Sequence, residues 1–178
     1  MSRYKFEAVL VAMLFCALAG TANAQSLGIF TGQGDIGDVG AAGGATIEND
    51  EYVVQGSGAD IWNAADEFYF VYKEISGSFS IKGNVYLELG GGDSTWAKAG
   101  FMVRDNLTAG SAYGFGMIRN SGQDFCPQWR TTQDGSAGGA ETYIGGMDND
   151  YTQEGDTEIE RLGDTVNFYY VNFDTQER

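Results

Sequence analysis

The feature that most limits what this chain can become is a two-residue alternation of large apolar side chains, broken at short intervals by glycine-rich turns. Phe68, Phe70 and Tyr72 fall on one face of their segment and Tyr69, Val71 and Lys73 on the other. Ala99, Phe101 and Val103 oppose Lys98, Met102 and Arg104 in the same way. That period is two and not 3.6, so it describes strands. Further strands rich in Val, Ile, Tyr, Phe and Trp are expected at Glu51–Gln55, Glu67–Ile75, Phe79–Leu89, Ala97–Arg104, Ala112–Arg119, Asp124–Thr131 and Thr165–Phe173. Ser76-Gly77, Asn120-Ser121-Gly122 and Asp134-Gly135-Ser136 supply turn residues between them. Residues 28–44 read as loop, and the Gly-rich, then acidic stretch 135–157 reads as a long surface loop. With 27 Gly and one Pro in 178 residues, and no long amphipathic helix, the pattern is that of an all-β, antiparallel β-sandwich.

The charge balance narrows the function. Twenty-five Asp and Glu face 10 Lys and Arg, a net charge of -15. Phosphate backbones and anionic lipid surfaces are bound by clustered cations, so nucleic acid and membrane surfaces are not expected as partners. There is no His, which removes Ser-His-Asp and Cys-His mechanisms and His-ligated zinc. Carboxylates, hydroxyls, amides and aromatics are left to carry any chemistry.

Residues 1–24 have the form of an export signal. Arg3 and Lys5 precede an apolar stretch from Ala8 to Ala19, and Ala22-Asn23-Ala24 makes a small-residue cleavage site. The apolar stretch is shorter than the roughly 20 residues that span a bilayer, so no membrane insertion is expected after cleavage. The expected destination is extracellular or periplasmic. Loss of Arg3, Lys5 and Glu7 leaves 24 acidic and 8 basic groups, a charge of -16, and a lone cysteine, Cys126. Without a disulfide, Cys126 beside Phe125 and Pro127 reads as a small buried hydrophobe.

Three runs carry a family likeness: Gly56-Ser57-Gly58-Ala59-Asp60-Ile61-Trp62, Ala65 to Tyr72, and Trp96 to Arg104. Phe125 to Arg130 and Arg161 to Val166 extend it. Together they resemble a bacterial extracellular family of concanavalin A-like, laminin-G-like jelly-roll domains of unknown function, often labelled "regulation of enolase". The resemblance implies a jelly-roll sandwich over residues 25–178. Family members continue with further strands beyond the equivalent of Tyr170, so the sandwich is expected to be C-terminally incomplete, with its last strands missing.

Candidate site residues follow from chemistry. Trp62, Trp96 and Trp129 are candidates for stacking sugar rings, with Arg104 and Arg130 as polar contacts, although core packing and ion pairs are the competing roles. Asp60, Asp66 and Glu67, and separately Asp148 and Asp150, are hard oxygen donors suited to Ca2+, against ordinary turn and surface roles. Asp156, Glu158 and Glu160 alternate along one strand face, which makes Glu158 and Glu160 an alternative acid and nucleophile pair of laminarinase-like kind, against a solvated acidic face.

The reading is a secreted, non-catalytic binding module for polysaccharide or cell-surface glycan. The alternatives are a glycoside hydrolase and a structural protein that assembles through a sheet edge. Intact-mass measurement of the exported protein checks the leader: the expected chain begins at Gln25, and a mass that retains Met1 refutes the cleavage.

Overall fold

The structure is a computed structural model that describes residues 6–11, 27–88, 95–120, 124–140, 142–143 and 152–170. Within them the chain is all-β. The strands in order are β1 (Phe6–Val11), β2 (Gly32–Ile36), β3 (Gly44–Glu48), β4 (Glu51–Gln55), β5 (Ile61–Trp62), β6 (Ala65–Asp66), β7 (Phe68–Ile75) and β8 (Phe79–Glu88). They continue with β9 (Lys98–Arg104), β10 (Tyr113–Arg119), β11 (Asp124–Phe125), β12 (Gln128–Arg130), β13 (Gly138–Gly139), β14 (Thr142–Tyr143), β15 (Thr152–Leu162) and β16 (Thr165–Tyr170).

Every pairing is antiparallel. The large sheet runs β13-β12-β10-β9-β1-β7-β2, with β11 beside β10 and β14 beside β11. A second sheet runs β16-β15-β8, and two hairpins, β3-β4 and β5-β6, complete the set. Val85, Leu87 and Ile159 of the second sheet pack with Ala99, Phe101, Val103 and Ile118 of the first, so two sheet layers enclose this core. Phe30, Val54, Tyr69 and Val71 join the β3-β4 hairpin to β7. The opposite face of the large sheet buries Phe68, Phe70, Met102, Tyr113, Phe115, Met117 and Cys126 beneath Ile36 and Ile61. A sheet covered on both sides explains why β9 and β10 are buried along their whole length, whereas β8 alternates between core and solvent.

Several segments differ from the sequence reading. β2 lies in residues 28–44 and β15 begins at Thr152, both inside stretches read as loop. Glycine and acidic side chains leave no apolar alternation there, and partner strands supply the order: β2 pairs with β7, and β15 pairs with β8 through ten residue pairs. The segment expected from Asp124 to Thr131 splits at Pro127, whose ring nitrogen cannot donate to a ladder. The β3-β4 turn places Asn49 and Asp50 at φ 52° and 66°, the left-handed pair of a two-residue hairpin.

One face is closed by a buried ion cluster. Asp66 and the side chains of Arg104 and Arg130 have no solvent exposure. Arg130 Nη2 and Nη1 donate to Asp66 Oδ1 and Oδ2 at 2.6 and 2.9 Å, and Arg104 Nη2 lies 3.6 Å from Oδ2. The Arg130 guanidinium also donates to the carbonyls of Trp62, Asn63, Ser111 and Gly135, which ties three loops to one side chain. Burial raises the Asp66 carboxyl above its ordinary value, and the Arg130 hydrogen bonds and the two guanidinium charges pull it back. Arg104 also lies over the rings of Phe68 and Phe70, and Arg130 over Tyr113.

Removing one member of such a cluster strands the others in a dry interior, at a cost of about 3–5 kcal/mol. Arg130→Met is therefore expected to lower the thermal midpoint by on the order of 10 °C. Thermal unfolding followed by circular dichroism checks this, and a shift under about 2 °C would mean that the cluster is not what holds the loops.

Candidate functional site

The loops held by Arg130 wall an open cleft of about 410 Å3, lined by Asp60, Trp62, Trp96, Lys98, Cys126, Gln128, Gly139 and Ala140. That size suits a small ligand or a sugar unit. Its residues come from four distant stretches of chain. Asp60 and Trp62 lie on the β5 loop, whose path requires Gly58: φ there is 148°, and a Cβ would meet the Glu67 carbonyl oxygen at 2.0 Å. Asn63, at φ 49°, turns the chain from β5 into β6. Trp96 and Lys98 lead into β9, Cys126 and Gln128 flank Pro127, and Gly139 seats against the Trp62 ring, where a Cβ would lie 3.4 Å from Cζ3.

Lys98 organises the floor. Its side chain is 4% exposed, and its ammonium donates to Asp60 Oδ1 at 2.5 Å, to the Ile61 carbonyl at 3.1 Å and to Gln128 Oε1 at 3.2 Å. An ammonium has three N–H donors, so these three acceptors use it fully. It also lies 5.8 Å from the Trp62 ring centre and 5.9 Å from that of Trp96. Arg119, paired with Lys98 across the β9-β10 ladder, stacks on Trp96 at 4.4 Å. Both cations thus sit against indole rings. Burial lowers the Lys98 pKa from its ordinary 10.5, and the hydrogen bond and charge of Asp60 oppose that fall. Cys126, 2% exposed, lines the same cleft.

Among the described residues, this arrangement leaves two polar handles unused. Asp60 Oδ1 accepts from Lys98 and from the Ile61 backbone N–H, and Oδ2 has no partner among the described residues; the side chain is 40% exposed. Gln128 turns its oxygen to the ammonium, and the two amide N–H groups of Nε2 have no acceptor among the described residues. The cleft therefore offers an acceptor and a donor between Trp62 and the half-exposed Trp96.

The other candidates are placed elsewhere. Arg104 and Arg130 belong to the buried cluster on Asp66 and do not line the cleft. Strand alternation turns Trp129, 38% exposed, to the side opposite Gln128. Asp60, Asp66 and Glu67 hold three different partners, namely Lys98, the two arginines and the Ala59 N–H. Among the described residues no group of three or more His, Cys, Asp or Glu converges, and Asp148 and Asp150 lie outside those residues. Glu158 is 3% exposed on β15, and Glu160 accepts from Tyr169 Oη at 3.0 Å and Asn167 Nδ2 at 3.4 Å. Neither lines the cleft.

Lys98 and Gln128 were not singled out from the sequence. The available signal was a lysine opening a strand that is apolar from Ala99 to Val103, which has to find buried acceptors wherever that strand is covered on both faces. No protein-family model matches the chain, and neither a curated protein nor a solved structure does.

A folded-state pKa below 10.5 means that, between the two values, the unfolded chain binds more protons than the folded one. The Lys98 contribution to stability accordingly rises with pH through that window. In the folded protein the ammonium deprotonates before an ordinary lysine does and lets go of Asp60. Tryptophan emission, excited to avoid tyrosine, is expected to change on the alkaline side below pH 10.5. Lys98→Met should abolish that step, and an unchanged titration in the variant would separate Lys98 from the two indoles.

Proposed function

We propose that this protein is a secreted, non-catalytic module of concanavalin A-like jelly-roll type that binds neutral carbohydrate in the Trp62–Trp96 cleft. The observation that carries the reading is a pair of polar groups without partners among the described residues, Asp60 Oδ2 and Gln128 Nε2, on a floor walled by two indoles. A pyranose ring presents apolar C–H faces for stacking, and hydroxyls that both donate and accept, so an acceptor and a donor between aromatic walls match it. The chain's charge of -15 and the open Asp60 carboxylate disfavour an anionic sugar. Lys98 does not offset this, because all its donors are engaged.

Binding is favoured over cleavage by the count of acids. Glycoside hydrolysis needs two carboxyl groups across the scissile bond. Among the described residues that line the cleft, Asp60 is the only carboxylate. A bound Ca2+ remains a proposal that rests on the acidic clusters seen in the sequence, and calcium dependence of binding would test it.

The experiment is a glycan array followed by calorimetry on the best neutral polysaccharide. Trp96→Ala and Asp60→Asn are each expected to weaken binding at least about tenfold, equivalent to 1.4 kcal/mol. Trp129→Ala should leave it unchanged, and product analysis should show no cleavage. Loss of affinity in Trp129→Ala with none in Trp96→Ala would move the site to the other face.

A further inference from the structure

The large sheet is continuous only because β1 lies in its middle. Phe6–Leu10 pair with Ile75–Val71 on one side, and Glu7–Val11 pair with Arg104–Gly100 on the other. Yet Phe6–Val11 belongs to the stretch that has the form of an export signal. A segment that is cut away with residues 1–24 cannot remain the central strand. Strands in a sheet are about 4.8 Å apart, so without β1 the backbones of β7 and β9 stand about 9.6 Å apart, too far to pair with each other.

We propose that the position between β7 and β9 is a strand-acceptor site which, once residues 1–24 have been removed, takes an extended segment of another polypeptide chain, apolar on both faces. The proposal rests on the leader reading and is independent of the sugar cleft. Its chemistry is set by the walls of the slot. The position held by Leu10 lies between Val71, 0% exposed under the β3-β4 hairpin, and Phe101, 2% exposed in the core between the two sheets. The next position, held by Val9, lies between Tyr72 and Met102 on the opposite face, which is also covered. An ordinary edge-strand peptide, apolar on one side and polar on the other, would bury unpaired polar groups there. Toward the far end the partners become Lys73 and Val103, then Glu74 and Arg104, with Lys73 and Glu74 exposed, so charge is tolerated only at that end. The occupant must run antiparallel to both walls. Addition of such a strand satisfies the facing N–H and C=O rows of β7 and β9 together, which is β-augmentation at two edges at once.

The test keeps the full chain. A protease site is inserted between residues 12 and 26, and the protein is purified without export and cut. It is then challenged with a labelled synthetic peptide of residues 4–12. The expected result is that the N-terminal fragment stays bound after cutting and exchanges for the labelled peptide. A peptide carrying Leu10→Asp should bind at least tenfold more weakly. Protein stripped of the fragment should lose its thermal transition or associate into oligomers, and regain the monomeric transition when the peptide is restored. A cut chain that releases the fragment and stays monomeric, with an unchanged transition and no peptide uptake, would show that the sheet closes on itself and overturn the proposal. An exported protein whose mass retains residues 1–24 would overturn it by leaving the slot permanently filled, and would leave the sugar cleft untouched.

Discussion

One buried carboxylate sets the form of the face that carries the cleft. Asp66 sits without solvent contact between Arg104 and Arg130, and Arg130 reaches from it to the carbonyls of Trp62, Asn63, Ser111 and Gly135. A carboxylate in a dry interior is tolerable only when cations and hydrogen bonds surround it. The loops are therefore not free to choose other paths: moving any one would expose a carbonyl or strip a donor from the guanidinium. Trp62, whose own carbonyl is one of the acceptors, is fixed at the cleft as a consequence.

The same face gathers cations in a chain that has few. Lys98, Arg104, Arg119 and Arg130, four of the 10 basic residues, are all buried there. At one end the two arginines serve Asp66. At the other, Lys98 fixes Asp60 and Gln128, and Arg119 stacks beneath Trp96. Rigid orientation of the floor lowers the ordering cost of a ligand, because Asp60 and Gln128 are already held before it arrives. The arrangement also separates roles: the lysine shapes the floor, and its neighbours are left to contact the ligand.

Much of the sheet framework was legible in the sequence. The alternations around Phe70 and Phe101 mark β7 and β9, and similar runs mark β4, β8, β10 and β16, because apolar side chains that alternate at period two have to face a core. Legibility failed where the side chains carry no such signal. Gly32–Ile36 is a strand because β7 offers it a ladder, and Thr152–Thr157 is one because β8 does. The candidate site was legible only in part. Trp62, Trp96 and Asp60 were recognisable as ligand-type residues, but nothing in the local sequence separates them from Trp129 or Asp66, whose surroundings differ completely.

By itself the sequence determined the all-β class, the antiparallel strands with strong apolar alternation, and an acidic surface with no imidazole chemistry, since these depend on side-chain type and short-range period alone. Tertiary structure decided which of its charges are buried and what they hold. Antiparallel register sets Lys98 beside Arg119 and Gln128 beside Phe115, and loop closure brings Asp60 and Gly139 to the same cleft from distant stretches of the chain. Ladder partners far apart in the chain leave no periodic trace in either segment, so the cleft exists only once the sheet has formed.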